Sequence, residues 1–249
     1  MEIIVKNLSL AYNVKNLDSS FLRKSLIKKF FSKSNKKIDQ IWALNNLNFE
    51  LSKGDRLGVI GPNGSGKSTL IKCLSNIYKP AEGSEVIVSG KFLPIIEPWA
   101  LSEPVDSVVN NIILIGLILG FDKKYIVNNI DNILKFSELE NKKDYQFSSL
   151  STGMKLRLIF AIVFLLETEI FLIDEFLTTG DEKFRKKSFQ HLIEKTQNSI
   201  TVICSHERNT IKEFCNKVLV LEKGKQAYFG DIDEGFRKYD EIIMKKVDS

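Results

Sequence analysis

The chain's 249 residues, 43% of them apolar, suffice for a substantial buried core, in one large domain or one domain with a subdomain. Lys+Arg 36 against Asp+Glu 31 gives a net charge of +5, an excess too small to indicate nucleic-acid binding, though compatible with a place near an anionic membrane surface. Cys73, Cys204 and Cys215 have no paired spacing, which argues against a disulfide framework and for buried thiols in a reducing compartment.

Residues 1–11 alternate as a strand and lack the basic start and apolar run of an export signal, so the chain is expected to stay in the cytoplasm. Its longest apolar runs, 112–121 and 158–166, fall short of the roughly 20 residues a helix needs to cross a bilayer. Any membrane association is therefore expected to be peripheral. Strands expected over 2–12 and 42–51 enclose an insertion, 13–41. Within it Leu22, Leu26, Ile27, Phe30 and Phe31 recur at helical spacing, while Arg23, Lys24, Lys28 and Lys29 fall mostly elsewhere on the turn. This predicts a short basic amphipathic helix over 21–31, then a polar loop over 32–37. The helix either covers a little core at the surface or contacts a membrane or a membrane partner.

Residues 56–60 read as a strand, 61–69 as the loop GPNGSGKST, and 68–78 as a helix closed by Lys79 and Pro80. Gly61, Gly64 and Gly66 let backbone amides turn inward on phosphate oxygens, and the new helix adds its positive end. Lys67 reaches the outer phosphates and the Ser68 hydroxyl can ligate Mg2+, which makes this a nucleoside triphosphate site. Strands are expected over 85–89 and 92–96, and helices from 105 to about 140. Ser151, Thr152, Gly153 and Met154 open a further helix.

The apolar segment 170–173 ends in Asp174 and Glu175, two carboxylates at the C-terminal end of a buried strand, where ligands bind in parallel sheets. Asp174 is placed to hold the metal shell and Glu175 to orient or deprotonate the attacking water. A strand over 200–204 delivers Ser205 and His206 to the same edge, with His206 a candidate contact to the terminal phosphate. His191, on the preceding predicted helix, is expected at the surface. Residues 218–222 and 226–229 form a predicted hairpin, and 233–244 a final helix.

In order and spacing, GPNGSGKST (61–69), LSTGM (150–154), IFLIDE (170–175), TTGD (178–181) and SH (205–206) resemble the ATP-binding subunits of ABC transporters, over essentially the whole chain. The resemblance implies an α/β fold: a P-loop NTPase (RecA-like) core with N-terminal antiparallel β strands and an inserted α-helical subdomain at about 98–160, all within a single nucleotide-binding domain, 1–249. It implies ATP with Mg2+, held in the loop by Gly61, Asn63, Gly64, Ser65, Gly66, Lys67, Ser68 and Thr69. It also implies a head-to-tail dimer with a second copy, in which Ser151, Thr152 and Gly153 of one chain, with Asp181, meet the nucleotide on the other. Tyr12 is the preferred ring to stack on adenine and Trp42 the alternative; either could instead be core packing.

The variants within these motifs resemble one subfamily. LSTGM stands where LSGGQ is usual, FLTTGD where PTSALD is usual, and Glu97 where most relatives carry a metal-linking glutamine; exporters of bacterial polysaccharides share these forms. Glu97 can ligate the same hard cation. The insertion likewise resembles an extra helix of those exporters near the membrane subunit, whereas residues 98–111 depart from the subfamily's usual sequence. The resemblance implies a peripheral ATPase at the cytoplasmic face of the cell membrane, partnered by a polytopic permease and serving lipid-linked polysaccharide of O-antigen, capsule or teichoic-acid type, with no nucleic-acid partner. Some such proteins carry a further C-terminal carbohydrate-binding domain, for which this chain is expected to be too short. The alternatives are export of another lipid or glycolipid, or a soluble ABC ATPase acting on nucleic acid or ribosomes. The latter usually shows tandem sites or a long coiled-coil insertion.

Overall fold

Short apolar runs without polar alternation fold as strands buried on both faces, while alternating runs cover one face only. The computed structural model describes residues 1–14, 39–96, 101–165, 168–174, 182–205 and 207–247, and both kinds of strand are present. β1 (Glu2–Val14) and β2 (Asp39–Ser52) pair as a long antiparallel ribbon. β3 (Arg56–Ile60) runs through the glycine-rich loop into α1 (Lys67–Leu74). β4 (Glu85–Ser89) joins the other edge of β1, and β5 (Phe92–Ile95) begins the second sheet. Three helices follow, α2 (Val108–Ile118), α3 (Lys123–Ser137) and α4 (Thr152–Leu165). Then come β6 (Ile170–Asp174), α5 (Glu182–Thr196), β7 (Ile200–Cys204), α6 (Arg208–Phe214), the hairpin β8 (Lys217–Glu222) and β9 (Lys225–Gly230), and α7 (Ile232–Val247).

The first sheet has the order β2-β1-β4 and the second β5-β6-β7-β3-β8-β9, parallel except for β9. Alternation within the parallel strands divides the interior. Leu57, Val59, Ile170, Leu172, Ile200 and Val202 join Leu70, Ile71 and Leu74 of α1 beneath the antiparallel sheet. Phe171, Ile173, Ile203, Val218 and Val220 face the opposite layer, which holds residues of α2 to α7. Each such aliphatic side chain contributes roughly 1.5–3 kcal/mol by leaving water.

The elements differ from expectation at their ends. β1 and β2 extend beyond residues 12 and 42, into a stretch expected to belong to the insertion. α1 stops at Leu74 rather than 78, because Asn76 turns left-handed (φ 56°) before the proline is reached. α6 was not expected; its seven residues bury only Ile211 and Phe214, too few to give a helical period. His191 is half-buried rather than at the surface, with its ring 5.2 Å from that of Phe136. All three thiols are buried, and burial pushes the Cys73 thiol up to about 12 and the Cys215 thiol in the same direction. The basic helix expected at 21–31 lies outside the described residues.

Candidate nucleotide site

Where β3 ends, the backbone has little room. A Cβ on Gly61 would lie 2.3 Å from the Leu221 carbonyl oxygen, and one on Gly66 2.6 Å from that of Ala43. Gly66 is also left-handed, at φ 108°. Only glycine fits there, so the loop is pressed between β8 and β2. Gly64, left-handed at φ 75°, has nothing within 4 Å of a built Cβ and faces open space.

Lys67 is buried, and its Nζ donates to the Gly61 carbonyl at 2.9 Å and the Pro62 carbonyl at 3.4 Å. Two neutral carbonyls do not cancel a buried charge, so the loop holds a cation matched to an anionic ligand. Ser65 Oγ is buried and has no hydrogen-bond partner among the described residues, a polar atom awaiting a group the loop does not supply. α1 begins at Gly66 with no side-chain cap, which leaves its first amides available to phosphate. Asn63 and Ser68 are exposed beside them, and Thr69 is half-buried.

Register carries other groups to the same edge. Val59 pairs with Cys204, and Cys204 with Asp174, so the strand ends before the loop, before Ser205 and at Asp174 are level. Asp174 is partly exposed there, and with the Ser68 hydroxyl it offers the hard oxygen donors that Mg2+ prefers. Ser205 Oγ accepts from the Glu207 N–H at 3.1 Å, turning the chain into α6. Glu97, Glu175, Asp181 and His206 lie outside the described residues.

Tyr12 and Trp42 are 42% and 46% exposed, which removes core packing as the account of either. Ala11 pairs with Trp42 and Tyr12 with Ile41, and cross-strand partners share a face, so the two rings project from opposite faces of the ribbon. Tyr12 faces the loop's helix: its hydroxyl is 3.3 Å from Thr69 Oγ1 and its ring lies edge-on to Tyr78.

The ABC transporter family model matches residues 44–178, across the loop, the LSTGM segment and the carboxylate strand. The chain belongs to the ABC transporter family. As an ABC ATPase it binds ATP, whose hydrolysis the family couples to transport. It is 35% identical over 227 residues to the O-antigen export system ATP-binding protein RfbE of Yersinia enterocolitica, covering 89% of this chain and 95% of that one. It is 36% identical over 205 residues to the teichoic acids export ATP-binding protein TagH of Bacillus anthracis, covering 82% of this chain but only 37% of that longer protein. Among solved structures, a dimeric post-hydrolysis ATP-binding cassette bound to ADP and Pi superposes with a TM-score of 0.72 at 20% identity, over 92% of this chain and 98% of that one.

In this ABC ATPase the LSTGM segment opens α4. Ser151 Oγ accepts from the Met154 N–H at 3.3 Å, as a capping serine does, and Leu150 is buried behind it. Ser151 and Thr152 are exposed, and a Cβ on Gly153 would meet nothing within 4 Å, so this helix start presents a small, open, amide-rich surface. The turn at Lys223 and Gly224 touches the phosphate loop, a contact sequence reasoning did not foresee. The Lys-Gly pair marks a turn, but nothing local says what the turn leans on.

Proposed function

We propose that this ABC ATPase powers a membrane exporter of lipid-linked polysaccharide of the O-antigen, capsule or teichoic-acid type. The observation that carries the reading is the 35% identity to an O-antigen export ATP-binding protein along 95% of that protein's length. Among the described residues no helix is long and apolar enough to cross a membrane. In this reading the chain serves a separate permease subunit from the cytoplasmic face.

Two copies close head-to-tail on ATP. The glycine-rich loop, from Gly61 through Asn63, Gly64, Ser65 and Gly66 to Thr69, cradles the phosphates of one nucleotide, and Lys67 neutralises them. Ser151, Thr152 and Gly153 of the second copy approach the far side with the positive end of α4, and Asp181 lines the same junction. Tyr12, rather than Trp42, stacks on the adenine, since it stands on the face toward α1. Ser68, Asp174 and Glu97 would hold Mg2+, which when bound neutralises charge on the outer phosphates. Glu175 takes the proton of the attacking water and His206 contacts the terminal phosphate. Closure stores the transport step, and hydrolysis releases the two copies.

The test is capture. Tagged Glu175→Gln chain, loaded with ATP in mild detergent, is expected to retain one polytopic membrane protein together with lipid-linked sugar. Recovery of ribosomes, nucleic acid or the soluble chain alone would overturn the export reading.

A further inference from the structure

The β8–β9 hairpin lies far from the phosphate loop in sequence, yet its tip is built into that loop. Glu222 and Lys225 are register partners, so the turn has two residues, Lys223 at φ 47° and Gly224 at φ 77°, both left-handed. The Gly224 N–H donates to the Ser65 carbonyl at 3.0 Å, and the Gly224 carbonyl accepts from the Asn45 N–H at 2.8 Å. The Asn48 N–H donates to Gln226 Oε1 at 2.9 Å, fixing the hairpin to β2 a second time. The Ala43 carbonyl is wedged between two glycines: a Cβ on Gly224 would lie 2.7 Å from its oxygen, and one on Gly66 2.6 Å from the same atom.

We propose that Gly224 is a positioning residue for ATP binding, the tip of the hairpin serving as a brace that sets the orientation of the Ser65–Gly66 peptide. The peptide is planar and trans, so its carbonyl and N–H point in opposite directions. Holding the Ser65 carbonyl toward Gly224 turns the Gly66 N–H away from the hairpin and fixes it there. That amide is one of the donors at the start of α1, and its direction is set by a turn more than a hundred residues downstream. Gly224 must be glycine both for its φ and for the approach to Ala43. The inference rests on the reading of residues 61–69 as the phosphate cradle, which ATP binding by the unaltered chain tests separately.

In Gly224→Ala the new methyl pushes the tip off Ala43 and breaks the bond to Ser65. The expected result is a rise of about tenfold or more in the KM and dissociation constant for ATP, with kcat at saturation within about twofold. Gly83→Ala supplies the comparison: Gly83 is left-handed at φ 86° but has nothing within 4 Å of a built Cβ, so it introduces the backbone strain without the contact. Its ATP affinity is expected to match that of the unaltered chain. A folded Gly224→Ala with unchanged ATP affinity, or equal losses in both variants, overturns the proposal. Should Gly224→Ala not fold, hydrogen exchange on the unaltered chain decides. Slower exchange at the Asn45 and Gly224 amides on adding ATP supports the brace, and protection confined to residues 61–69 refutes it.

Discussion

Lys67 and Cys73 stand two turns apart on α1 and meet burial in opposite ways. Lys67 is held inside the fold with its Nζ donating to two carbonyls, an arrangement suited to an anion nearby. Cys73 avoids a charge altogether, its thiol pushed up to about 12 by burial, with Cys215 shifted in the same sense. The folded chain therefore holds protons that the unfolded chain releases near the ordinary value of 9.0. Stability is full below that pH and is lost as the pH rises toward about 12. Urea midpoints taken between about pH 8 and 11 are expected to fall, and to fall less steeply in Cys73→Ala. An equal slope in the two proteins would remove Cys73 as a source of the alkaline loss.

The elements show where local sequence suffices and where it does not. The strands of the parallel sheet were legible because their apolar runs are short and end in Gly61, Asp174 and Ser205, residues that cannot continue a buried strand. α6 was not legible, because its position depends on β3: a Cβ on Gly58 would lie 2.7 Å from Ile211 Cγ2 and 3.2 Å from Cys215 Sγ. Glycine at 58 lets the helix lie directly on the strand. Gly58→Ala should cost about 1–3 kcal/mol in urea unfolding, the usual penalty for overpacking, since the fully buried Ile211 has nowhere to move. A loss well below that range would mean the helix shifts freely. The choice between Tyr12 and Trp42 was likewise closed to sequence. Irregularities between Val5 and Leu8, Leu8 and Leu10, and Leu10 and Ala11 reset the pairing, and one residue of slip exchanges the two faces of a strand.

In the whole molecule, the phosphate loop and the LSTGM segment each present an open helix start. The proposed dimer predicts that ATP doubles the mass of Glu175→Gln in solution, read by light scattering. Adding Ser151→Arg should keep it monomeric in the presence of ATP, because bulk at an exposed cap obstructs the facing copy, while each monomer still binds ATP, more weakly, through its own loop. Dimerisation undiminished by Ser151→Arg would place the contact elsewhere. The sheet order has a consequence for how the protein is made. β3 lies between β7 and β8, so both of its edges stay unpaired until residues 200–222 have emerged during synthesis. The nascent protein thus carries a finished motif with no finished pocket, and an apolar strand open on two sides, while the residues between β3 and β7 are made. Chains cut short before Gly224 would display the whole phosphate-binding sequence without the strand and turn that complete its surroundings, and would compete for chaperones.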